Sequence, residues 1–164
     1  MPTGNTSIKL SKNFSLREMT KSRLTIRYKI DNQPNDEQLA CLKDLVTYVL
    51  QPLRDVFGCP VTVNSGFRCL ELNRKLGSKD TSQHVLGQAA DIEVPGRDNH
   101  DTALWLSQNL NFDKLILEHY HEASPRSGWI HVSYNNKECR KEILTINNRG
   151  IFSGLKLYLS LIHI

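Results

Sequence analysis

A chain of 164 residues, 39% hydrophobic and 23% charged, can bury one core without disulfides and favours a single domain. Its net charge of +4 describes a mildly basic surface, ordinary for a solvated protein and suited to an anionic polymer such as a bacterial wall. The Lys and Arg residues are scattered with no recognition motif beside them, which argues against nucleic acid, and no apolar run is long enough to span a bilayer.

Met1 to Thr6 is polar and lacks the regions of a signal peptide, so work outside a cell would need another route of delivery. Residues 1–12 read as a flexible entry. Ser15 with Glu18 three residues later predicts a capping box and a short helix through Met19. Residues 20–33 are polar and mixed and read as irregular. From Asp36 to Phe57, Leu39, Leu42, Val46, Val49, Leu50 and Leu53 recur mostly three and four apart, the stripe of a core helix. Asn35 or Asp36 caps it, Pro52 kinks it or starts a new turn, and Gly58 ends it.

Val61 to Asn64 is β-branched and reads as a strand, followed by a turn at Ser65-Gly66. A short helix spans Leu70 to Leu76 and stops at Gly77. Residues 78–83 form a polar loop, and Ala89 to Val94 a strand closed by Pro95-Gly96. A helix runs from Asp101 to Leu110, with Trp105 as a packing residue. Leu115–Glu118 and Trp129–Tyr134 are strands joined by the polar segment 119–128, and Ile143–Ile146 is a last strand. The order predicts an α+β fold, a small antiparallel or mixed sheet with flanking helices. One domain covers 13–150, and 151–164 is a tail. That tail ends Leu159-Ser160-Leu161-Ile162-His163-Ile164, an apolar run without structural logic. Read as codons it resembles a sequencing adapter translated in frame, so the native C-terminus is expected to be missing. Cys41, Cys59, Cys69 and Cys139 match no compact zinc spacing and read as free thiols, Cys41 on a core face.

Chemistry gathers in Ser82-Gln83-His84-Val85-Leu86-Gly87-Gln88-Ala89-Ala90-Asp91. A histidine before a glycine-permitted turn, then an acid entering a strand, can aim both side chains at one point. Trp129-Ile130-His131-Val132-Ser133 adds a second imidazole, with Trp129, His131 and Ser133 on one strand face. Two imidazoles and one carboxylate are a usual protein share of a catalytic zinc site, with one position left for water. Spacing alone leaves zinc and an ordinary polar cluster equally open.

Ser-x-His-x-x-Gly-x-Ala-x-Asp over Ser82 to Asp91, followed by Trp129-Ile130-His131, resembles the M15 family of zinc peptidases. Phe14 to Met19, Leu53-Arg54, Val63 to Arg68 and Leu72-Asn73 extend the resemblance in family order from about residue 10 to 135. That family includes D-Ala-D-Ala carboxypeptidases and phage peptidoglycan endopeptidases, and shares its metal-site fold with the hedgehog signalling domain. The resemblance implies one zinc ion on His84, Asp91 and His131. Arg68 would steady a carbonyl oxygen or a substrate carboxylate, and Ser82 would bind substrate or cap the loop before His84. The implied substrate is a peptidoglycan stem peptide. The expected state is a monomer that reaches the wall from the host cytoplasm on release, or rides on a virion.

A general base is also required. Several members of the family carry Glu or Asp three residues before the last zinc histidine, where this chain has Gly128. Glu118, at the end of a strand expected to pair with Trp129–Tyr134, takes that place, with Glu122 and His121 as runners-up. His119 and His121 are not expected to act as a ligand pair. The missing acid also leaves room for a zinc-containing wall-binding module without activity.

Overall fold

The computed structural model describes residues 8–157. A six-stranded sheet, ordered β1-β2-β4-β3-β5-β6, is packed on one face by helices. The chain runs α1 (Leu16–Thr20), α2 (Arg23–Tyr28), α3 (Asp36–Leu45), a wide π turn (Val46–Leu50) and α4 (Gln51–Phe57). Next come β1 (Thr62–Ser65), α5 (Leu70–Lys75), β2 (Ala89–Glu93), α6 (Asn99–Asn109), β3 (Lys114–Glu118), β4 (Trp129–Ser133), β5 (Glu142–Asn147) and β6 (Gly150–Ser153). All strand pairs are antiparallel except β3 with β5, so the sheet is mixed and the fold α+β, as expected.

Local chemistry sets the helix ends. Ser15 and Glu18 form the reciprocal capping box, and Asn35 with Gln38 forms a second one. Pro52 does not break the long helical stretch. It lies at the start of α4, and just before it the Gln51 amide reaches back five residues to the Val46 carbonyl. This widened turn makes room for a ring that cannot donate the usual bond. Leu42, Val46, Val49, Leu50 and Leu53 are fully buried, so the predicted stripe is the core side of α3 and α4. It meets Ala90, Ile92, Leu115, Leu117, Ile130 and Val132, the alternate residues on one face of the sheet. Each such Val, Leu or Ile side chain contributes about 1.5–3 kcal/mol by leaving water. Trp105 packs edge-on against Phe57, as expected of a core-side aromatic.

Several expectations need correction. Residues 20–33 are not wholly irregular, because Ser22 caps α2 and Lys29 ends it in the left-handed conformation. The segment also holds Asn32, which is buried beneath the site. Residues 8–12 are not loose: Lys9 bridges Ser15, and Leu10 joins the core. Helix α6 starts two residues before Asp101, since the Asp98 carboxylate accepts from the His100 and Asp101 amides. The strand near Ile143 is not the last, because β6 turns back at Asn147 and Gly150 and pairs with it. The sheet thus continues to Ser153. The four cysteines are unpaired, and burial pushes the Cys41 thiol up. No helix among the described residues is long and apolar enough to cross a membrane. The adapter-like run from Leu159 to Ile164 lies outside the described residues.

Candidate metal centre

The face of the sheet turned from the core carries the site. One row crosses it through directly opposed residues: Ser65 on β1, Asp91 on β2, His131 on β4, Ile116 on β3 and Leu144 on β5. A register shift between Val63 and Ser65 brings Ser65, rather than Asn64, opposite Asp91. His84 joins this row from the loop before β2. That loop turns at Gly87, whose φ is +75° and where a Cβ would stand 2.4 Å from the Gln38 carbonyl. Gly87 therefore lets the loop press onto the start of α3.

The ligand-type atoms of His84, Asp91 and His131 all lie within 4.8 Å of one another. Nδ1 of His84 lies 2.7 Å from the Gly66 carbonyl oxygen. A carbonyl only accepts, so Nδ1 carries the proton, and Nε2 is the ring atom left facing Asp91, 3.5 Å away. The ring is 3% exposed, which locks this orientation. Nδ1 of His131 is 3.1 Å from the same Asp91 oxygen, Oδ1. The other oxygen, Oδ2, receives Arg68 Nη2 at 3.3 Å. Burial alone would raise the Asp91 carboxyl, but the His131 and His84 rings beside it outweigh this and hold it far below the usual range. Two imidazoles and a carboxylate form a donor set that fits a divalent metal such as zinc.

The walls of the cleft, about 860 Å³, include Arg68, Ser82, His84, Asp91, Glu118 and His131. Glu118 opposes Trp129 across β3 and β4, the pairing expected from sequence, and lies one strand repeat from Ile116 in the ligand row. No hydrogen bond or ion pair engages its carboxylate among the described residues. Burial raises its pKa, and the Asp91 charge adds to that. Arg68 is held by Ser65 Oγ at 2.9 Å and Asn73 Oδ1 at 3.4 Å as well as by Asp91. It therefore orients Asp91 while bordering the cleft. Ser82 Oγ accepts from the His84 amide at 3.3 Å, the loop-capping role, and also faces the cleft.

Other expected candidates lie elsewhere. Glu122 and His121 do not border the cleft. His121 Nδ1 accepts from the Ala123 amide, and the His119 ring lies tilted against Trp129. A second group, Asp98, His100 and Asp101, is committed in part, since Asp98 caps α6 and accepts from Tyr120.

Gly128, three residues before His131, leaves no room for an acid at that position. Its φ is +69°, and a Cβ would stand 2.0 Å from the Glu118 carbonyl oxygen. No side chain fits without moving the strand that carries Glu118. Gly128→Ala is expected to cost roughly 2–4 kcal/mol, read as a lower urea midpoint.

Sequence reasoning missed the groups that hold the site from behind. Asn32 donates to the Thr20 and Phe67 carbonyls and accepts from the Cys69 amide, fixing the segment that carries Arg68. Asp113, 2% exposed, accepts from Gln83 at 2.8 Å and from the Arg140 amide and guanidinium. It ties the residue before His84 to the start of β3. Lone polar residues outside a motif carry no signal of such long-range bonds. The Arg140 hydrogen bonds hold the Asp113 carboxyl down at about 2, against an ordinary 3.8. A depressed folded-state value stabilises the fold above the ordinary one, and the contribution disappears as pH falls from about 4 to 2. Arg140→Gln is therefore expected to lower the thermal midpoint at pH 6 and to change it little at pH 2.

A family model described as peptidase M15 matches residues 12–133, from the N-terminal bridge through the end of β4. No curated protein matches the chain.

Proposed function

The chain belongs to the peptidase M15 family, and from that premise we propose a zinc-dependent hydrolase of peptide bonds in bacterial peptidoglycan stem peptides. The observation that carries this reading is the meeting of His84, Asp91 and His131 in one cleft with an uncommitted Glu118. Zinc held by the three ligands would supply Lewis acidity, lowering the pKa of water and polarising the scissile carbonyl.

The chain's own groups do the rest. The Gly66 carbonyl keeps His84 in the tautomer that leaves Nε2 unprotonated. Asp91 stays anionic between two imidazoles and a guanidinium. Glu118 takes the proton of the attacking water and returns it to the leaving amine. Its burial favours this exchange, because a raised pKa brings the carboxylate closer to the proton affinity needed. Arg68 steadies the oxygen on which negative charge builds, and Ser82 positions the substrate backbone at the cleft wall.

The bond cleaved is that of a D-Ala-D-Ala carboxypeptidase or of an endolysin-type endopeptidase, in a monomer that acts after release from the host or from the virion, with phage as the source. The test is zinc-loaded protein with purified peptidoglycan, products read by mass spectrometry. Loss of terminal alanine identifies a carboxypeptidase; release of stem peptides or of cross-links identifies an endopeptidase. If zinc-loaded protein cleaves no muropeptide but binds walls, the chain is a wall-binding module of the same fold.

A further inference from the structure

We propose that Lys114 forms a carboxylate-binding subsite in this cleft, so that the favoured peptide carries a free acid one or two residues from the cleaved bond. The inference rests on the peptidase reading above and names the substrate class of the same site.

The cleft floor is built of three rows that cross neighbouring strands. The middle row holds Asp91 and His131. Toward one end, Glu118 opposes Trp129 and Ile146. Toward the other, Lys114 pairs with Glu142, and its amide donates to Ser133 Oγ. Glu118 and Lys114 each lie two residues from Ile116, the neighbour of His131. At about 3.3 Å per residue, proton acceptor and cation flank the ligand row by roughly 7 Å on either side. That is the span of about two residues of an extended peptide.

Lys114 is the better placed cation for a ligand. Arg68 already faces Asp91, Ser65 and Asn73. The ion pair of Lys114 with Glu142 is long, 3.5 Å, and its groups are 28% and 39% exposed. Glu142 has a second cation, Arg140, at 3.8 Å. An arriving carboxylate can therefore draw Lys114 away without stranding Glu142. Lys79 also lines the cleft and adds a further positive charge. Three cations, Arg68, Lys79 and Lys114, then face two carboxylates, Asp91 and Glu118, before any metal is counted. That balance favours an acidic ligand over a neutral or basic one.

The test uses zinc-loaded protein and two peptides that differ in one side-chain carboxylate, free in one and amidated in the other. The wild type is expected to prefer the free acid about threefold to tenfold. Lys114→Gln is expected to lose that preference, the loss falling on KM, and Lys114→Arg to keep it. No preference in the wild type, or a preference that survives Lys114→Gln, overturns the subsite. The same preference is read by calorimetry in a Glu118→Gln background, with uncleaved peptide. Absence of hydrolysis by the wild type would thus defeat the peptidase reading, while the binding data decide the subsite separately.

Discussion

Glu118→Gln is expected to lower kcat by about 10²–10⁴ while zinc content and thermal midpoint stay close to wild type. Glutamine keeps the size of the side chain and removes its capacity to accept a proton. The position tolerates the change because no hydrogen bond or ion pair among the described residues depends on the carboxylate. Burial already disfavours its charge, so a neutral amide should relieve the fold slightly rather than weaken it. The comparison is steady-state turnover of a muropeptide with metal content measured on the same samples. A variant that turns over at the wild-type rate would show that Glu118 is not the base. The other acid of the cleft, Asp91, is held deprotonated between His84, His131 and Arg68 and makes a poor substitute.

Asp91→Asn is expected to remove both tight metal binding and activity. Asp91 is where the site's charges meet: Oδ1 faces both imidazoles and Oδ2 faces Arg68. An amide supplies one neutral oxygen in place of an anionic pair, and its NH₂ would point at one set of donors. Loss of a supporting partner alone weakens a metal site about 10–100-fold, and loss of a charged ligand should exceed that. Zinc affinity by competition with a chromophoric chelator checks this without reference to turnover. Chelation of the wild type should likewise abolish hydrolysis, and added zinc should restore it. If Asp91→Asn binds zinc as tightly as wild type, the three residues are not the ligand set.

How much of this was legible in the chain varies from residue to residue. His84, Asp91 and His131 stood out because metal ligands need particular side chains, and small residues between them leave a readable spacing. Glu118 was readable through pairing logic, since a strand end opposite Trp129 must share its face. The capping boxes and the stripe from Leu39 to Leu53 were readable because they depend on neighbours within one or two turns. α2 was missed, since Ser22 caps a helix with no apolar periodicity to announce it. β6 was missed because its strand exposes Ile151 and alternates weakly.

What the sequence determined by itself was the α+β class, the core helix and the identity of the three candidate ligands, since each follows from local pattern or from side-chain chemistry. What only the tertiary structure decided was how they are held. The Gly66 carbonyl sets the His84 tautomer, Asp113 and Asn32 brace the loops, Gly128 closes against Glu118, and one shifted register aligns Ser65 with Asp91. Those contacts join residues far apart in the chain. They depend on ångström-scale distances that no periodicity encodes, and they exist only once the buried sheet has fixed its register.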